Sequence, residues 1–196
     1  MRPQMVIITD NTLSAMALRT LLVDIAKGIE VVCYNSLDEF VATAEDVVAH
    51  FFVSAETVFR NPDYFRAIMR RTIVITEGEA PAFVQSGFRT IDATTSEQEI
   101  VRSILQFHHA GHPGGHPMHH IKQSVEPTIT LSTREREVLA LVVKGYINKE
   151  IADMLNISLA TVIFHRNNIS EKLHTRSIGR LTIYAVLNNI VPLSEL

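Results

Sequence analysis

A single cysteine, Cys33, leaves this sequence without an internal disulfide, so whatever holds it folded is packing and hydrogen bonding. No segment approaches the roughly 18 uninterrupted apolar residues of a membrane span. The opening "MRPQMVIITDN" meets Asp10 after too short an apolar run for a signal peptide. Together these predict a cytoplasmic protein with no membrane partner. Lysine is absent between Lys27 and Lys122. No convergent set of acid, base and nucleophile can be assembled, which speaks against an enzyme.

What is present is a folded, two-part composition. With 46% hydrophobic and 20% charged residues, the 196-residue chain has enough apolar surface to offset ordering entropy, and its length suits two modest domains. The net charge of −3 is unevenly spread. Residues 1–107 hold 9 basic against 14 acidic residues, whereas 108–196 hold 9 against 7. An acidic module therefore precedes a mildly basic one, and the surplus in 131–180 is three positive charges.

The first module alternates strand and helix patterns. Runs at 5–9, 29–34, 49–53, 72–76 and 88–92 are short, branched or aromatic, and mostly lack alternation, as strands buried on both faces do. Helices are predicted at 12–26, 36–46, 62–70, 80–86 and 96–107; the first presents Leu13, Met16, Ala17, Leu21 and Leu22 at helical spacing, and the last opens on the capping pair Ser96 and Glu99. Five such units predict a doubly wound parallel sheet. Residues 108–128 break the pattern with glycine, proline and histidine and read as a linker. From 129 to 196 the pattern is helical throughout: a Ser132–Glu135 cap, a helix to about Lys144 closed by Gly145, then helices near 148–155, 158–173 and 177–189.

In "NKEIADMLNISLATVIFHRNNISEKL", Ile151, Ala152 and Leu155 make one inward face, "NIS" makes a tight turn with Ser158 as cap, and Val162, Ile169 and Leu173 make the next inward face. Two helices joined this way form a helix-turn-helix. At about 100° per residue, Ile163, Phe164 and Asn167 fall opposite Val162 and Ile169, on the side of a second helix that enters a DNA major groove.

The stretch "LSTREREVLALVVKGYINKEIADMLNISLATVIFHRNNISEKLHTRS" resembles the DNA-binding domain of LuxR/NarL-type (GerE-like) regulators. Leu131, Arg134, Glu135, Glu137, Val138, Leu139, Gly145, Asn148 to Ala152, Leu155, Ser158, Thr161, Val162, His165, Asn168, Ile169, Lys172 and Leu173 match the family pattern in order and spacing. The resemblance covers about a third of the chain. It implies a four-helix fold whose third helix reads duplex DNA and whose fourth often pairs two subunits. Carried over residue by residue, Phe164 and Asn167 fall at base-approaching positions. Ile163 stands where the family commonly has lysine, removing a charge contact. Asparagine can bridge adenine N6 and N7, and Ile163 and Phe164 can pack on thymine methyls; the alternative is that these two pack on a neighbouring helix or protein. Lys149, Thr161, Arg166, Lys172 and Arg176 are candidate phosphate contacts. His165 is either another or a partly buried residue of the Val162 side. So few positive charges predict modest affinity and a shallow salt dependence.

The α/β domain resembles a response-regulator receiver, on architecture and a few positions. That resemblance implies an aspartate nucleophile after the third strand, an acidic pair after the first for Mg²⁺, a hydroxyl after the fourth and a lysine after the fifth. This sequence offers Asp10 alone after strand one, Ser54 for the nucleophile, Thr76 for the hydroxyl, and Thr94 or a neighbour for the lysine. The expectation is a pseudo-receiver that works without phosphorylation and pairs two chains.

Six of the nine histidines, His108, His109, His112, His116, His119 and His120, crowd the linker. Three readings stay open: a plain tether, a pH-sensitive one, or a zinc, nickel or haem site. No cofactor is expected elsewhere. The whole reads as a homodimeric transcription regulator of duplex DNA, with a possible protein partner at the pseudo-receiver. The rival is an interaction partner of another regulator with vestigial DNA binding.

Overall fold

The computed structural model describes residues 3–26, 28–43, 47–109 and 130–196. The five apolar runs become β1 (Gln4–Ile8), β2 (Glu30–Tyr34), β3 (Val48–Ser54), β4 (Thr72–Thr76) and β5 (Arg89–Asp92). They pair in parallel in the order β2-β1-β3-β4-β5. Burial follows this order: β1, β3 and β4 carry Val6, Ile7, Ile8, Val53, Ile73 and Val74 out of solvent, while the edge strands β2 and β5 expose or half-expose most of their side chains. Central strands covered on both faces need continuous apolar runs; edge strands do not.

Helices join the strands: α1 (Thr12–Ile25), α2 (Leu37–Thr43), α3 (Ala55–Arg60), α4 (Pro62–Ala67), α5 (Pro81–Gln85) and α6 (Glu97–His109). Their starts are written locally. The Asn11 side chain accepts the Ser14 amide at 3.1 Å ahead of α1, and Ser96 and Glu99 bond each other's backbone amides ahead of α6. Two expectations need correction. The helix foreseen over 62–70 is α4 followed by a 3₁₀ turn at Met69–Arg71, and α3 precedes it; Pro62 begins α4, where its missing N–H costs nothing. In α1, Leu13 and Met16 do not face the sheet; they are 78% and 61% exposed, while Leu18 and Leu22 are buried. Apolar residues lie on most sides of this helix, so spacing alone does not choose the inward face.

The C-terminal helices are α7 (Thr133–Val143), α8 (Asn148–Leu155), α9 (Leu159–Lys172) and α10 (Ile178–Leu187). Val138, Leu139, Val142, Ile151, Val162, Ile169, Leu173, Leu181 and Tyr184 form one buried cluster. The described residues fall into two compact units, one holding the sheet and the other the C-terminal helices together with 59–67 and 81–87. Helix α6 runs to His109, two residues into the stretch read as linker; His112, His116, His119 and His120 lie outside the described residues. Among the described residues no helix is long and apolar enough to cross a membrane.

Candidate functional site

The turn between α8 and α9 sets the geometry. Asn156 ends α8 in the left-handed region at φ 52°, which asparagine tolerates better than most residues. Two residues later Ser158 caps α9, its Oγ accepting the Thr161 amide at 3.1 Å. Val162, Ile169 and Leu173 are then buried, which turns the opposite edge outward: Ile163 is 43% exposed, Phe164 59%, and Asn167 is exposed beside them. Neither apolar side chain belongs to the core of its own unit.

Two polar ties hold this helix in place, and a third joins α7 to α8. Lys172 Nζ lies 2.7 Å from Glu135 Oε2, and the same carboxylate accepts the Ser132 amide at 2.7 Å. Burial by itself pushes the Glu135 carboxyl up; the Lys172 ammonium and the Ser132 amide and hydroxyl outweigh it and hold the group below its ordinary range. Arg166 donates to Asn148 Oδ1 at the start of α8. Arg134 donates to the Leu155 carbonyl at 2.8 Å, capping the end of α8, and pairs with Glu137. Arg134 was legible only as a motif match; its partner lies 21 residues away in sequence, and no local spacing indicates it.

The candidate phosphate contacts therefore divide. Lys149 and Arg176 are exposed and make no ion pair among the described residues. Lys172 and Arg166 are committed to Glu135 and Asn148, and the Thr161 hydroxyl shares a 2.7 Å hydrogen bond with Ser158 Oγ. Arg166, Asn167, Ser170 and Arg176 line one depression of about 280 Å³. His165 is half-buried; its Nδ1 is out of solvent with no hydrogen-bond partner among the described residues, and its ring stands edge-on to Phe164 at 5.7 Å. Any contact it makes with a ligand runs through Nε2.

At the carboxyl edge of the sheet, a cavity of about 300 Å³ opens between the ends of β1 and β3. Asp10 and Ser54 line it. Thr76 does not: it points away, its hydroxyl donating to the Ile91 carbonyl at 3.4 Å. Glu77 lines the cavity instead. Thr94 is also elsewhere, tied through its amide and hydroxyl to Asp92 Oδ1 at 2.8 and 2.7 Å, and Ala93 takes the lining position. Those two Thr94 bonds, with the Gly78 amide, hold the Asp92 carboxyl below its ordinary range. The period-two alternation of strands is the reason: a shift of one residue reverses which side a side chain serves. Ser54 caps α3, accepting the Thr57 amide at 3.3 Å. Among the described residues no group of three or more acidic, histidine or cysteine side chains is placed to share a metal ion.

Comparison with known proteins fits the helical unit most closely. The family model for bacterial regulatory proteins of the luxR family matches residues 129–185. The oxygen regulatory protein NreC of Staphylococcus carnosus is 42% identical over 66 residues, 34% of this chain and 30% of that protein. The response regulator protein VraR of Staphylococcus saprophyticus is 39% identical over 71 residues, 36% of this chain and 34% of that one. The match thus spans about a third of the length of these curated relatives. Among solved structures, one of two RcsB dimers bound to two parallel DNAs matches with a TM-score of 0.66 at 16% identity, covering 95% of this chain and 99% of that one. RcsB from Salmonella enterica serovar Typhimurium bound to promoter rprA matches with a TM-score of 0.61 at 15% identity, over 97% and 100% of the two chains. At such identity the likeness concerns the fold: a receiver-like five-stranded parallel domain followed by a helical one. Residues 129–185 belong to the luxR family of bacterial regulatory proteins.

Proposed function

We propose that the chain is a transcription regulator, not an enzyme, that binds duplex DNA in the cytoplasm through α9 and acts as a homodimer without aspartyl phosphorylation. The observation that carries the reading is the outward edge of α9, where Ile163, Phe164 and Asn167 stand clear of the core in a luxR-family domain. Asn167 supplies the adenine-type contact and the two apolar side chains the thymine-methyl contacts. Lys149 and Arg176 supply phosphate contacts, with His165 through Nε2. Thr161, Arg166 and Lys172 act mainly by positioning the helix. The domain boundary falls within residues 108–128.

Phosphorylation independence is supported by Ser54 in its capping role, by Ala93 on the β5 side of the cavity, and by the absence of lysine from 28 to 121. Pairing is supported by α1, whose Leu13, Met16 and Val23 leave an apolar stripe uncovered; two copies of that stripe can bury each other about a two-fold axis.

Titration of the full chain against A·T-rich and G·C-rich duplexes at two salt concentrations tests the reading; tighter binding to the A·T-rich duplex, weakened by salt, is expected. Equal, negligible affinity for both would instead favour docking of the α9 edge on a partner regulator. Incubation with acetyl phosphate, followed by intact mass, is expected to leave the protein unmodified.

A further inference from the structure

We propose that the cavity at the carboxyl edge of the sheet is an input site for a small organic cation, a compact primary amine with an apolar body. This rests on the reading of the sheet domain as one that is not phosphorylated. The position is the first argument. In the order β2-β1-β3-β4-β5 successive strands are added on one side of β1 and then on the other, so the strand order reverses between β1 and β3, and open α/β sheets bind ligands in the crevice at that reversal. The cavity lies there, and its volume of about 300 Å³ reaches the lower end of small-molecule sites.

The lining states the chemistry. Ile7, Leu18, Phe52 and Ile75 form an apolar floor, and Asp10, Glu56 and Glu77 stand at the rim, with no lysine, arginine or histidine among the described lining residues. Such a rim repels phosphate and carboxylate ligands and attracts a cation, while the floor offers a hydrocarbon body the burial that a hydrated inorganic ion cannot use. A hard divalent ion wants several converging oxygens, which the described residues do not assemble.

The test uses the full chain labelled with ¹⁵N and titrated with benzylamine, cyclohexylamine and 1,5-diaminopentane, against benzoate, cyclohexanecarboxylate and glutarate. The amines are expected to shift the amide signals of Thr9, Asp10, Glu77 and Ala93 saturably, and the anions to leave them unmoved. Asp10→Asn combined with Glu77→Gln should weaken the amines about tenfold, as two rim charges of modest value each are lost. Ser14→Phe keeps the rim acids but fills the cavity, and should abolish binding; amine binding that survives it is surface attraction and overturns the site. The proposal also fails if amines and anions act alike, if none binds, or if MgCl₂ alone produces the saturable shifts. Duplex binding and phosphodonor modification, measured on the same samples, separate failure of this site from failure of the regulator reading: a phosphoryl adduct sinks both, whereas intact DNA binding without amine binding sinks only this one.

Discussion

Phe164→Ala separates the proposed DNA-reading edge from the scaffold beneath it. The ring is 59% exposed in the free protein; for an aromatic side chain of roughly 200 Å² this leaves about 120 Å² of surface to be covered in a complex. At about 25 cal/mol per Å² the ceiling is about 3 kcal/mol. Incomplete burial and the ordering of the side chain reduce it, so a loss of about 1–2 kcal/mol is expected, roughly 5- to 30-fold in Kd. The same substitution should leave unfolding free energy within about 0.5 kcal/mol, because little of the ring is packed. Ile169→Ala, at a buried position on the other side of α9, should instead cost about 2–4 kcal/mol of stability. Fluorescence anisotropy with a duplex enriched by in vitro selection, alongside urea unfolding, measures both. Lys149→Ala is the electrostatic control: it should weaken all duplexes alike and flatten the salt dependence by about 0.9 in slope, whereas Phe164→Ala should leave the slope intact. Unchanged affinity in Phe164→Ala, or a loss that tracks lost stability, would refute the assignment of this edge to base contact.

Further outcomes concern the scaffold and the proposed pairing face. Because the folded Glu135 carboxyl lies below its ordinary value of 4.5, the stability it contributes is complete above that pH and is lost as pH falls through the lowered value. Lys172→Met should cost about 1–2 kcal/mol near neutral pH, a modest figure because the lysine is 41% exposed, and should make the acid limb of a stability–pH curve shallower than in the parent; parallel limbs would argue that the pair is not what lowers Glu135. Leu13→Glu with Met16→Glu should convert a dimer to a monomer in sedimentation at micromolar concentration, with far-ultraviolet circular dichroism unchanged, since both side chains are solvent-facing. A persistent dimer would move the pairing face off α1.

Much of the architecture was readable in one dimension. The five buried runs, the caps at Ser96, Ser132 and Ser158 and the αL-tolerant Asn156 are local signals, set by backbone sterics and by hydrogen bonds that span three residues. The face of α9 was readable for the same reason: once Val162 and Ile169 are inward, the helical turn obliges Ile163, Phe164 and Asn167 outward. The sites whose partners are distant were not readable. Lys172 and Arg166 were readable only as candidate phosphate contacts, because a sequence does not reveal that Glu135 and Asn148 approach them from other helices.

At the sheet edge the sequence itself determined residue type: no lysine stands between Lys27 and Lys122, and a serine ends β3. Only the tertiary structure decided which residues surround the resulting space. Strand pleating sends Glu77 and Ala93 toward the cavity and turns Thr76 away, and a one-residue ambiguity at a strand end exchanges one side of a sheet for the other. Likewise α1, apolar on most sides, left its inward face to be chosen by packing: burying Leu18 and Leu22 against the sheet is what exposes Leu13 and Met16.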